Sequence, residues 1–136
     1  MSKIFNISEA ASIGIHCVAL IAKHDEKLNV AKLSEMMSFS RHHVAKVMQR
    51  LVKSGFLKSN RGPSGGFVLN KKPDEITFLD IYTAIEGEIP IEDCPLNYED
   101  CPFNKCLLDS IANDMILKFK EYLASRTIDY YVKNDY

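Results

Sequence analysis

Between Met36 and Pro73 the chain carries Arg41, Lys46, Arg50, Lys53, Lys58, Arg61, Lys71 and Lys72, together with His42 and His43, and no aspartate or glutamate. In a chain whose formal charge is only -1, that stretch is a cationic pole, and its apolar positions decide what holds it. Val44, Val47, Met48, Leu51 and Val52 recur at helical spacing, with Arg41, Lys46, Gln49, Arg50 and Lys53 largely on the other side. Ser40 is suited to cap the start of this helix and Gly55 to end it. Phe56 to Asn60 and Phe67 to Asn70 then read as two short strands joined through Arg61, Gly62, Pro63, Ser64, Gly65 and Gly66. A basic helix followed by a basic, glycine-rich hairpin predicts a winged helix, a module that reads duplex DNA.

The rest of the chain fits that frame. Ile7 to Lys23 is nearly all apolar and predicts a first helix buried on most sides, with Glu9, Ser12 and His16 sharing one stripe. Asn29 can cap a short helix from Val30 to Met37, and Ser38 and Phe39 supply the turn. Helix, tight turn, helix and wing is the order that places the second helix in a major groove. Arg41, His42, His43 and Lys46 would then meet base edges, with Gln49 and Arg50 reaching base or phosphate. Gly62, Gly65 and Gly66 let backbone approach a phosphate, and Arg61 could enter a narrow minor groove. A solvated basic face remains the plain alternative for a charge run considered alone.

Thr77 to Gly87 predicts a further helix, with Asp80 completing a capping box and Phe78, Leu79, Tyr82 and Ile85 packing toward the wing and first helix. Charge inverts from Asp74 to Ser110, where Lys105 stands alone against ten acidic residues from Asp74 to Asp109. Glu88 to Asn104 reads as a long loop, of the kind that is usually functional or disordered. It carries Cys94 and Cys101, with Cys106 at its exit, in the run C-P-L-N-Y-E-D-C-P-F-N-K-C. Thiolates there can converge on one soft centre, an iron–sulfur cluster, zinc or copper(I), or stay reduced without metal. His16, Glu9, Ser12, Cys17 or an exogenous group could fill a fourth place. As a structural histidine or a buried thiol, His16 and Cys17 need no metal at all.

From Cys106 onward, apolar residues return every three or four positions to about Ala124, and a second apolar set widens the stripe beyond what one small domain covers. A dimerisation helix is expected, with a fold-back monomer as the alternative, and Thr127 to Tyr136 as a short docking helix. The 136 residues, 46% apolar and 26% charged, suffice for one core with an extension. The expected class is mainly α: a winged helix-turn-helix DNA-binding domain at 1–87 with a small β-hairpin wing, a cysteine loop at 88–106, and a long dimerisation helix and tail at 107–136. Four cysteines without a secretory signal point to the reducing cytoplasm, and the apolar run from Ala10 to Ala22 is too short to span a bilayer.

Four strings carry a wider resemblance: S-R-H-H-V-A-K-V-M-Q-R-L-V-K-S-G-F-L, R-G-P-S-G-G-F-V-L, I-T-F-L-D-I-Y-T-A-I-E-G, and the three cysteines before a long helix. In these the chain resembles the bacterial winged-helix regulators typified by IscR, NsrR and CymR, across nearly its whole length. The resemblance implies a homodimer on an inverted-repeat operator of double-stranded DNA, usually a repressor. It also implies an iron–sulfur cluster, 2Fe-2S in preference to 4Fe-4S, held by Cys94, Cys101 and Cys106 and tuning DNA affinity in response to redox state, nitric oxide or iron–sulfur status. The fourth ligand varies among such proteins, which draws attention to His16. The cysteine spacing departs from the usual pattern, and Ser12 stands where some relatives carry an acidic ligand. Some relatives lack a cluster and sense metabolites through a partner enzyme. From a different class, a small iron–sulfur carrier accommodates the thiolates but has no use for the basic span. No phosphate loop, nucleophile elbow or paired metal-ligand helix points to an enzyme.

Overall fold

The computed structural model describes residues 7–90, 101–108 and 111–134. The chain runs α1 (Glu9–Lys23), α2 (Val30–Met37), α3 (Arg41–Lys53), β1 (Leu57–Asn60), β2 (Gly66–Leu69), a 3-10 turn (Pro73–Glu75), α4 (Phe78–Glu86), α5 (Ile111–Ser125) and α6 (Ile128–Asn134). Helix starts follow their caps. Ser8, Asn29, Ser40 and Thr77 each accept a backbone N–H three residues on, and Thr77 and Asp80 close a reciprocal capping box. The first helix therefore begins at Glu9, not at Ile7, because Ser8 is spent as its cap. Ser38 takes the left-handed turn between α2 and α3 at φ 57°, and Gly55 follows α3 at φ 88°.

β1 and β2 form an antiparallel hairpin in which Leu57 faces Leu69 and Asn60 faces Gly66. β1 starts one residue later than the sequence expectation, because the Phe56 N–H closes back on the Leu51 carbonyl at 3.0 Å as α3 unwinds, and β2 lies one residue earlier than expected, at Gly66–Leu69. The hairpin is anchored from a third side: the Phe67 N–H donates to the Leu28 carbonyl at 2.9 Å, making a bridge just before α2.

One core unites the helices. Ile13, Cys17, Val18, Leu33, Val44, Met48, Leu51, Ile76, Ile81 and Ile128 are all fully buried within it. α4 packs mainly on α1, α3 and α5; Ile81, absent from the expected packing set, is buried within it, while Tyr82 meets Phe119 of α5 edge-on at 5.7 Å. α1 and α4 approach closely at Gly14, where a Cβ would lie 2.3 Å from Ile85 Cδ1. α6 is pinned at its start by backbone bonds from Phe78 N–H to the Arg126 carbonyl at 2.9 Å and from Ile128 N–H to the Ile76 carbonyl at 3.0 Å.

The long helix starts later than its apolar pattern implied. The Leu108 carbonyl accepts the Ile111 N–H at 2.9 Å in a turn-type bond, and α5 begins there, leaving Cys106, Leu107 and Leu108 ahead of it. Of the apolar residues in and before α5, Leu123 is buried, whereas Leu107, Leu108, Ile111, Leu117 and Tyr122 are exposed. Among the described residues no helix is long and apolar enough to cross a membrane.

Candidate DNA interface and cysteine loop

The burial pattern of α3 divides it into two faces. Val44, Val47, Met48 and Leu51 enter the core, which forces Arg41, His42, His43, Lys46, Gln49, Arg50 and Lys53 outward. Ser40 does not point at a ligand as a free hydroxyl: its Oγ accepts the His43 N–H at 3.2 Å and sets the start of the helix. No acidic side chain occupies the first turn of α3. Glu9, from the first turn of α1, supplies one from outside, its Oε1 standing 3.3 Å from His43 Nδ1. His43 is thus engaged by α1, while His42 is exposed beside it.

The hairpin tip presents Arg61, Gly62, Pro63 and Ser64 to solvent, with Gly65 and Gly66 progressively buried behind them. Its glycines have a steric cause. A Cβ on Gly65 would lie 2.3 Å from the Asn60 carbonyl oxygen, and Gly62 sits at φ 106° with its carbonyl accepting the Gly65 N–H at 2.9 Å. Helix and wing meet in a groove of about 420 Å³ lined by Arg41, Ser59, Asn60, Gly62, Gly65, Gly66 and Phe67, with Asn29, Val30 and Ala31 from the start of α2. A second groove, about 580 Å³, runs along Lys46, Gln49, Arg50, Lys53 and Ser54 to Ala84. Arg41 and the wing glycines, separate in the sequence, therefore share one surface. Among the described residues no carboxylate pairs with Arg41, Lys46, Arg50 or Arg61.

Two features of this surface escaped the sequence reading. Leu28 is the backbone anchor of the wing, and its only signal in the sequence is an isolated apolar residue before a cap. The Glu9–His43 contact joins residues 34 positions apart, a relation that no local pattern carries.

Of the three loop cysteines, Cys94 lies outside the described residues; Cys101 is half-buried and Cys106 exposed. No group of three His, Cys, Asp or Glu side chains comes together among the described residues. His16 stands exposed on α1, and its Nδ1 donates to the Ser12 carbonyl at 2.7 Å. In the neutral ring that bond puts the lone pair on Nε2, the tautomer that metal-bound imidazoles adopt when a carbonyl holds the other nitrogen. Cys17 is a different kind of thiol. It is fully buried, and burial pushes its pKa up to about 12, so it is a packing residue and not a thiolate donor. The accessible thiols and the tautomer of His16 fit the donor set of an iron–sulfur centre in their chemistry.

Known proteins are similar to this chain in sequence and in fold. The chain is 27% identical over 117 residues to the HTH-type transcriptional regulator IscR of Pectobacterium atrosepticum, covering 84% of this chain and 71% of the relative. It is 29% identical over 111 residues to the HTH-type transcriptional regulator NsrR of Bacillus subtilis, covering 80% and 76%. The fold superposes on CymR, the global cysteine regulator of B. subtilis, with a TM-score of 0.79 at 25% identity, covering 97% of this chain and 99% of that one. With IscR of T. potens the TM-score is 0.77 at 22% identity, covering 97% and 89%, a likeness of fold. A family model described as Rrf2, iron-dependent transcriptional regulator, matches residues 7–134, which takes in the wing, the cysteine loop and both C-terminal helices. By that match, with the fold in agreement, the chain belongs to the Rrf2 family of transcriptional regulators.

Proposed function

We propose that this regulator is a homodimeric repressor that binds an inverted-repeat operator, with α3 in the major groove and the wing at the adjacent minor groove. The observation that carries the reading is the groove shared by Arg41 and the glycines of the wing, which gives a phosphate backbone a surface of cationic side chains and close-approach backbone. Arg41, His42, Lys46, Gln49 and Arg50 read or grip from the helix. Arg61 with Gly62, Pro63, Ser64, Gly65 and Gly66 grips from the hairpin. His43 acts in part by tying the start of α3 to Glu9.

Control is assigned to the cysteine loop. Cys94, Cys101 and Cys106 would hold an iron–sulfur cluster, of 2Fe-2S type, with His16 Nε2 as the candidate fourth donor. When bound, such a cluster supplies a centre whose oxidation state or integrity responds to redox conditions, nitric oxide or iron–sulfur supply. The chain's own part is mechanical: α4 ends at Glu86, whose carboxylate accepts the hydrogen of the Ser8 hydroxyl, and Glu9 next to Ser8 contacts the DNA-facing helix. The loop that follows α4 is therefore two side-chain contacts from α3.

The test is a mobility shift with genomic fragments, using protein purified without oxygen, across a range of salt. Sequence-selective binding that weakens steeply with salt is expected, because each phosphate neutralised adds about -0.9 to the slope of log K against log salt. Arg61→Ala should weaken every site alike, whereas His42→Ala should change which sequences are preferred. Absence of salt-sensitive, selective binding removes the DNA reading. Equal affinity for iron-loaded protein and a variant with all three loop cysteines changed to alanine removes the control by a cluster and leaves DNA reading in place.

A further inference from the structure

Between the two grooves that border α3 lies a smaller slot, about 290 Å³, which neither the cationic grip on phosphate nor the cysteine loop uses. It shares Val30, Ser59 and Phe67 with the Arg41 groove, and Gln49 and Lys53 with the Arg50 groove, so it belongs to the same surface. Its character is different. Phe67 is a buried floor, Val30, Ala45 and Val52 are half-buried walls, and the rim of Gln49, Lys53 and Ser59 is exposed and polar. Lys53, the one charged residue on the lining, stands about two helical turns beyond Ala45. An apolar slot gives nothing to a phosphate, so it suits an uncharged part of the duplex. The major groove exposes one apolar group, the 5-methyl of thymine, and pairs it with the N7 acceptor and N6 amino donor of adenine. Ala45 and Gln49, four residues apart, are neighbours on one stripe of α3. An alanine methyl packs on a thymine methyl, and a glutamine carboxamide matches adenine with one donor and one acceptor.

Resting on the DNA reading above, we propose that this slot reads an A·T base pair in each half-site, with the thymine 5-methyl seated against Ala45 and the Gln49 carboxamide on adenine. Ala45 and Gln49 then choose sequence, while Arg41, Arg50 and Arg61 beside them supply grip. Because neither contact neutralises a phosphate, both should act on affinity without altering its dependence on salt.

The test uses the full chain and an operator that it selects from random duplexes, in which each thymine is replaced in turn by uracil, and each T·A pair by 5-methylcytosine·guanine. Uracil removes only the methyl group; 5-methylcytosine keeps the methyl and removes adenine. At one position in each half-site, uracil should weaken binding about fourfold, the worth of one buried methyl group, and 5-methylcytosine·guanine about tenfold, the worth of a bidentate contact. Ala45→Gly should bind thymine and uracil alike at that position, and Gln49→Ala should lose the preference for adenine while keeping the uracil effect. Each comparison is made within one variant, so a change in its stability cancels. Uracil tolerated at every position, a uracil effect undiminished in Ala45→Gly, or a preference for adenine undiminished in Gln49→Ala would each overturn the assignment and leave DNA binding in place. Failure to select any operator would remove the DNA reading and this assignment with it.

Discussion

Cys17 and Cys106 carry the same thiol in opposite settings. Cys17 is sealed between α1 and the core, where a charged sulfur would lose its water and gain no partner, and its pKa rises from 9.0 to about 12. Cys101 and Cys106 are reachable from solvent. In cluster-free native protein, iodoacetamide should label Cys101 and Cys106 within the time that leaves Cys17 untouched, and peptide mapping by mass spectrometry reads this directly. A pH effect follows with a fixed sign. Between about pH 9 and 12 the unfolded chain loses the Cys17 proton while the folded chain keeps it, so this residue's contribution to stability is complete below pH 9 and is lost as pH rises toward 12. The difference in unfolding free energy between wild type and Cys17→Ala should therefore shrink on the alkaline side, as followed by urea denaturation. A flat difference from pH 8 to 11 would mean that the thiol is not sealed.

At the scale of elements, local chemistry made much of the molecule legible. α2, α3 and α4 begin where Asn29, Ser40 and Thr77 predict, because each cap satisfies an N–H that the helix itself cannot. The α3 faces were legible for the same reason: four core positions at helical spacing leave the cationic ones outside. What lay beyond local pattern was packing between distant residues. Nothing in the string around Leu28 reveals that its carbonyl anchors the wing, and nothing around Ile81 distinguishes it from Leu79 or Tyr82 until α1 and α5 are in place. The apolar rhythm that overran into Leu107 and Leu108 is a related case, since side chains that a partner surface would cover repeat like those that cover a core. Two glycines test how far steric environment decides. A Cβ at Gly65 and one at Gly14 would each meet an atom at 2.3 Å, but the first is a backbone oxygen of the wing and the second the flexible end of Ile85. Gly65→Ala should cost about 1–3 kcal/mol locally and speed amide exchange at Phe67. Gly14→Ala should fall near neutral, because about 1 kcal/mol of helix propensity offsets the displaced Ile85. Hydrogen exchange on the two variants separates them, and the reverse order would contradict the wing geometry.

For the molecule as a whole, the reading head and the cysteine loop become one device only if two chains are held in register. A single winged helix contacts one half-site, whereas an inverted repeat needs two recognition helices about 34–36 Å apart. The surface proposed to hold them is the apolar set on and before α5, with Leu107 74% and Ile111 51% exposed. α6 does not compete for it, being fixed to the core through Ile128 and to α4 through the Phe78–Tyr131 stack. In the proposed dimer this set forms the seam, so Ile111→Glu with Leu117→Glu should give a monomer by sedimentation where the wild-type chain is expected to sediment as two copies. The core should survive, because neither side chain belongs to it. With coupling between half-sites gone, affinity for the full operator should fall to that for an isolated half-site, while the salt slope per bound chain stays as it was. A double variant that remains dimeric places the interface elsewhere. One that is monomeric yet binds the full operator as tightly as the wild type would sever the link between the C-terminal helices and DNA reading, because the proposed dimer acts by holding two recognition helices in register.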